Sequence, residues 1–221
     1  MCSIYGSRNR TLFNVLHDVT QQRGVYAFSA AFLNDVDKKI KIHRQQGHPK
    51  DIEKLESDIN YNMFLGHNQA PTSSARDWDK TTSHPFVASN WYVAHNGVLT
   101  NHENINETYC VWNKNPVDSS CIPNLLHVME QTHVTATEVE VIEVALEKIQ
   151  GTFAVWILNE KTGNIFIARQ GSTLFANPET GDFCSIQSKG WIEVPEGQII
   201  NVTKSYKVVG TFKSKSPFFT L

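Results

Sequence analysis

Apolar positions change period several times along the chain. In "TLFNVLHDV" Leu12, Val15, Leu16 and Val19 recur at helical spacing, so the segment predicts an amphipathic helix with that face inward. "CSIYG" before it and "GVYAFSAAFL" after it read as strands, the second closely following Arg23-Gly24. Residues 34–60 are polar and predict a helix around "PKDIEKLESDI", where Pro49 suits a first turn. "YNMFLGHNQ" and "WYVAHNGVL" read as strands ending in polar, Gly-containing turns. "APTSSARDWDKTTS" between them has no periodicity and reads as a loop.

The middle of the chain is helical. Asp118 is placed to cap "SSCIPNLLHVMEQ". A second helix is expected from Thr137 to about Gln150, with Thr137 and Glu140 in capping-box spacing. After Gly151 strands return. "TFAVWILNE" and "NIFIARQ" flank "KTG" as a hairpin, "TLFANPETGDFCSIQS" suggests another, and "GQIINVT" and "YKVVGTF" complete the series. Strands, a helical pair, then strands predict two sheets with a helical layer against them. No linker interrupts the pattern, so residues 1–221 read as a single domain.

Composition narrows the function classes. The 221 residues are 40% hydrophobic and 19% charged, with a net charge of −2. No basic field or Lys/Arg block points to nucleic acid or an anionic membrane. No apolar run approaches the roughly 18–20 residues of a membrane span, and the N-terminus lacks a signal-peptide pattern, so a cytoplasmic location is expected. Cys2, Cys110, Cys121 and Cys184 lie far apart without a C-x-x-C, so neither a zinc site nor a redox pair is expected.

Three places carry candidate chemistry. Cys2 directly follows the initiator methionine. Once Met1 is removed, its thiol has a free α-amine beside it, a nucleophile with a built-in base for acyl transfer. In "AHNGVLTNHENI" a strand is read to end at His95. A side-chain amide at Asn96 and a backbone N–H at Gly97 could then face a developing oxyanion. The same Asn-Gly pair is also the commonest type I′ hairpin turn, and by spacing alone that reading is the stronger. Asp118 could cap its helix through the dipole or bind an ammonium group.

The order of the pieces carries more than any one of them. Cys2, "QQRGVYA", "GHNQAPTS", "SHPFVASNWYVAHNGVLTNHENI", "VDSSCIP", "GTFAVWILNEKTGNIFIARQGSTL" and "EGQIINVT" occur in sequence. The series resembles the class II glutamine amidotransferases, the glutaminase domains of the N-terminal nucleophile hydrolases, and is most similar to those of glucosamine-6-phosphate synthase and its relatives. The resemblance spans nearly the whole chain.

It implies an α+β fold, a four-layer α/β/β/α sandwich, and hydrolysis of L-glutamine without a metal or cofactor. It also implies roles. Cys2 matches the nucleophile, Asn96 and Gly97 the oxyanion pair, and Asp118 the carboxylate that holds the substrate α-ammonium. Arg23, with Gly24, matches an element supporting the nucleophile. Thr72 and His84 match residues of the glutamine pocket, and the segment from Gln69 to about Lys80 matches a loop that closes over glutamine.

The family pattern has arginine, a clamp for the substrate α-carboxylate, where this chain has Gln69. An amide holds a carboxylate less strongly than a bidentate guanidinium does. Arg76 on the same loop could substitute. The chain stops soon after the last matching strand, which leaves two expectations: a glutaminase that delivers ammonia to a separate synthase, or a stand-alone amidohydrolase acting on another amide or γ-glutamyl compound. An inactive binding module of the same fold is a third.

Overall fold

The computed structural model describes residues 1–34, 36–55, 60–70, 78–109 and 115–213. In chain order the elements are β1 (Ser3–Ser7), α1 (Arg10–Thr20), β2 (Ala27–Leu33), β3 (Ile40–Gln46), β4 (Met63–Gln69), β5 (Phe86–Ala88) and β6 (Trp91–Leu99). Three helices follow: α2 (His102–Thr108), α3 (Cys121–Thr132) and α4 (Glu138–Lys148). The chain then forms β7 (Gly151–Asn159), β8 (Asn164–Gln170), β9 (Phe175–Ala176), β10 (Phe183–Cys184), β11 (Ile192–Glu193), β12 (Gln198–Asn201) and β13 (Lys207–Thr211).

Two sheets result, with strand orders β11-β9-β10-β1-β4-β2-β3 and β13-β12-β8-β7-β6-β5. The pairings between named strands are antiparallel. Period-two alternation sorts each strand's side chains into layers. Ile4, Leu65, Ala94, Trp156 and Ile167 meet between the sheets. Tyr5, Phe28, Phe32 and Phe64 face α1, with Phe13 and Leu16 of that helix packed on them. Val93, Phe153 and Val155 face α2–α4. This is the α/β/β/α order that the family resemblance implied, one helical layer more than the pattern of elements alone predicted. The buried Trp156 indole donates to the Gly66 carbonyl at 3.2 Å and so ties one sheet to the other.

The inward face of α1 differs from the expected one. Val15 and Val19 are 50% and 40% exposed, while Phe13, Leu16, His17 and Thr20 are buried. Two of those four are polar, and each has partners that make burial tolerable. His17 Nδ1 lies 2.8 Å from the Tyr5 hydroxyl. The Thr20 hydroxyl accepts from Asn68 Nδ2 at 2.8 Å. Leu12 and Leu16 pack inward as expected while Val15 and Val19 do not, so hydrophobicity alone gives only part of the stripe.

The helix expected around 49–59 is absent from its described part. Asp51 caps a single 3₁₀ turn, Ile52–Lys54, and Leu55 is extended. β3, unpredicted in that polar stretch, is an edge strand whose one partner among the described residues is β2, which explains why it is not apolar. α2 was likewise unpredicted. The capping box of α4 is present as expected, with Thr137 and Glu140 exchanging hydrogen bonds. The Asn164-side hairpin turns at Gly163, φ +73°.

The Asn96-Gly97 turn is also absent. β6 runs through both residues and stays in register with β7, from Trp91 opposite Asn159 to Leu99 opposite Gly151. Asp118 is the first residue of a 3₁₀ turn, Asp118–Ser120, leading into α3, rather than the cap of the helix itself.

Candidate active site

Cys2 immediately precedes β1 and shares the parity of Ile4, which is buried between the sheets. It thus opens the inter-sheet layer at one end. A cleft of about 340 Å³ lies there, and its lining includes Cys2, Arg23, Asn96, Gly97 and Met1. Four of the residues picked out by sequence therefore meet around one space. The half-buried Cys2 thiol receives the Ala70 backbone N–H at 3.4 Å. Burial pushes the thiol above its ordinary pKa, while that N–H, the N-terminal charge and Arg23 pull the other way.

Asn96 comes from β6 of the second sheet. Its Nδ2 lies 3.5 Å from the Ser185 hydroxyl, which accepts the Ile4 backbone N–H at 3.0 Å. Ser185 in turn donates its own N–H to the Ile4 carbonyl at 2.9 Å. Gly97 has φ +152°, and a Cβ there would stand 2.0 Å from the Thr152 carbonyl oxygen. That close approach of β7 requires glycine.

Arg23 ends a 3₁₀ turn, Gln21–Arg23, after α1. Its Nη1 donates to the Ser185 carbonyl at 2.7 Å and lies 3.2 Å from the Thr173 hydroxyl. Its Nη2 lies 3.8 Å from the Met1 sulfur, and its Nε is buried without a hydrogen-bond partner among the described residues. At Gly24 a Cβ would stand 2.5 Å from the Asn68 carbonyl, so this turn packs directly on β4.

Gln69, His84 and Asp118 are not among the described residues that line the cleft, although the Asp118 charge acts on the Cys2 thiol. Gln69, at the end of β4, is 4% exposed, and its side-chain Oε1 has no hydrogen-bond partner among the described residues. His84 is buried and stacks on His67 with ring centroids 3.8 Å apart. Arg44 of β3 reaches across to donate to the His84 and Pro85 carbonyls. Burial drives the His67 pKa down to about 3. The Asp118 carboxylate accepts the Leu99 N–H at 2.7 Å and the Ser119 N–H at 2.7 Å. Thr72 and Arg76 lie outside the described residues.

Sequence reasoning missed Ser185, Thr173 and Thr152. The first two sit in stretches legible only as turn and hairpin, and a lone serine or threonine carries no signal of its contacts.

The family model described as "Glutamine amidotransferase domain" matches residues 73–184, half of the chain. The chain belongs to this family. Its fold and relatives are those of the class II, N-terminal nucleophile amidotransferases. It is 26% identical over 161 residues to the 7-cyano-7-deazaguanine synthase of Saccharolobus solfataricus, covering 70% of this chain and 33% of that one. It is 27% identical over 207 residues to the isomerizing glutamine–fructose-6-phosphate aminotransferase of Cyanidium caldarium, covering 85% and 32%. The chain thus spans about a third of the length of these curated relatives. Among solved structures, the glutamine phosphoribosylpyrophosphate amidotransferase of B. subtilis superposes with a TM-score of 0.69 at 18% identity, over 95% of this chain and 48% of that one. No described helix is long and apolar enough to cross a membrane.

Proposed function

We propose that this amidotransferase domain hydrolyses L-glutamine to glutamate and ammonia through a thioester on Cys2, and that the ammonia passes to a synthase. The observation that supports this best is the shared cleft: a thiol, a side-chain amide, a backbone position that tolerates no Cβ, and a guanidinium converge on one space.

The chemistry follows from the groups present. A thiol raised by burial is scarcely ionised at neutral pH, so it needs a base. The α-amine of Cys2 can serve once Met1 is removed, because an acylated nitrogen is not basic. Met1 also lines the cleft and holds its sulfur against Arg23, so its removal clears the approach. The amine takes the thiol proton, and sulfur bonds to the amide carbon. Asn96 Nδ2 and the Gly97 N–H are the candidate donors to the resulting oxyanion. As the C–N bond breaks, the amine returns its proton to departing ammonia. Water then adds to the thioester, and the C–S bond breaks to give glutamate and the free thiol.

Gln69 favours a second reading. A buried amide whose oxygen has no partner among the described residues stands where the family pattern has a carboxylate-binding arginine. An amidohydrolase acting on an amide that lacks an α-carboxylate would not require that clamp, whereas a γ-glutamyl compound carries the same carboxylate as glutamine. Glutamate release from glutamine, compared between wild type and Cys2→Ala, tests the first reading. Release that depends on Cys2 supports it, whereas no release from glutamine alongside cleavage of another amide favours the second.

A further inference from the structure

The residues behind the oxyanion strand form a hydrogen-bonded chain that the proposed chemistry leaves unused. His95 projects from the face of β6 opposite Asn96 and is 1% exposed. Its Nδ1 lies 2.7 Å from the Ser119 hydroxyl and its Nε2 lies 3.2 Å from the Thr152 carbonyl oxygen. The Ser119 hydroxyl also lies 3.2 Å from Asp118 Oδ1. The ring sits beside Gly97, where a Cβ would be 2.8 Å from Nε2. One chain of contacts therefore joins the Asp118 carboxylate to the backbone that carries Asn96 and Gly97.

Counting hydrogens shows what this chain can do. The Thr152 carbonyl only accepts, which assigns the neutral ring's proton to Nε2 and leaves Nδ1 as an acceptor. Ser119 then has one hydroxyl hydrogen and two acceptors within reach, His95 Nδ1 and Asp118 Oδ1. Asp118 is half-buried, and no Lys or Arg among the described residues pairs with it. Its negative charge competes with the imidazole for that hydrogen. A cation placed on Asp118 weakens the competition and turns the hydroxyl toward His95.

We infer that Ser119 couples occupancy of an ammonium site at Asp118 to the placement of the oxyanion strand, through its hydroxyl and His95. Ser119 and His95 are positioning residues in this scheme. The inference rests on the glutaminase reading and on Asp118 as the ammonium carboxylate. It makes the substrate's α-amine a contributor to turnover as well as to binding, because binding energy from a remote group is used to organise the reacting centre.

The test compares glutamine with glutaramic acid, which keeps the amide and the carboxylate but lacks the α-amine. For wild type, kcat on glutamine should exceed kcat on glutaramic acid by about ten-fold, a typical coupling between sites. In Ser119→Ala that ratio should collapse toward one, and Ser119→Thr, which keeps the hydroxyl, should restore it. Equal losses on both substrates, or an unchanged ratio, overturn the inference while leaving the glutaminase reading intact. Hydrolysis of neither substrate by wild type overturns the glutaminase reading, and the inference with it. Ring-nitrogen NMR of histidine-labelled Cys2→Ala protein gives a second readout that does not depend on the serine variants. The His95 Nδ1 signal should move when glutamine binds and stay when glutaramic acid binds; identical responses contradict the coupling.

Discussion

Asn96 and Ile4 belong to different sheets, yet both hydrogen-bond to the hydroxyl of Ser185, at 3.5 Å and 3.0 Å. The strand that carries the candidate oxyanion donor is thereby pinned to the strand that directly follows the candidate nucleophile. Arg23 fixes the same residue from outside through the Ser185 carbonyl. Positioning at this precision matters because a misplacement of about 1 Å can cost roughly 10²-fold in rate.

Asn96→Ala should lower kcat by roughly 10²–10³, the usual effect of deleting one oxyanion donor, with little change in KM. Steady-state glutaminase kinetics check this. A raised KM with an intact kcat would make Asn96 a ground-state contact. Ser185→Ala should lower kcat by less, since Asn96 remains.

How much of this was legible in the sequence depended on what each residue type signals. Strand periodicity and caps gave the layers, because alternation and the Thr137–Glu140 pair are local. The α1 stripe was only partly read, Leu12 and Leu16 correctly and Val15 and Val19 not, because His17 and Thr20 are buried by partners on β1 and β4, which lie far away in sequence. The Asn96-Gly97 pair looked like a turn because a turn and a constrained strand position both select glycine. Only the approach of Thr152 from β7 separates them. Cys2, Asn96 and Gly97 were singled out by residue type and Arg23 only through the family resemblance, whereas Ser185 carried no signal, since its contacts come entirely from where the β9–β10 hairpin delivers it.

Gly97→Ala should be poorly tolerated. The new Cβ would meet the Thr152 carbonyl at 2.0 Å in a backbone conformation that L side chains rarely adopt. Backbone strain alone is worth roughly 1–3 kcal/mol. Chemical denaturation should show a lowered midpoint, and kcat should fall as well. A variant of wild-type stability and activity would remove Gly97 from the site.

Gln69→Arg should lower KM for glutamine by about ten-fold if position 69 faces the substrate carboxylate, the difference between an amide and a bidentate guanidinium. Arg76→Ala should then have little effect. The reverse pattern, with KM rising in Arg76→Ala and unimproved in Gln69→Arg, assigns the clamp to Arg76. No change in either variant favours a substrate without that carboxylate.

Acidification should destabilise the fold through its buried histidines. Burial lowers the His17 pKa from 6.5 to about 4 and the His67 pKa from 6.5 to about 3. In the window below 6.5 the unfolded chain takes up protons that the folded chain excludes. Their contribution is therefore fully present above that pH and is lost as pH falls toward the folded values. Denaturation between neutral and acidic pH should show unfolding free energy falling, and His17→Gln should reduce the slope by about one proton. An unchanged slope would mean that His17 is accessible to protons in the folded state.

The central claim is that Cys2, freed of Met1, is the nucleophile, and covalent labelling tests it most directly. A diazoketone analogue of glutamine should react with the native protein, and peptide mass spectrometry should locate the adduct. The account predicts one adduct per chain, on a Cys2 that is the N-terminal residue, and none in Cys2→Ala. Cys121 and Cys184 should stay unmodified, since burial pushes their thiols up to about 12 and about 11. An adduct on Cys110, Cys121 or Cys184, or full glutaminase activity in a homogeneous protein that retains Met1, would contradict the account.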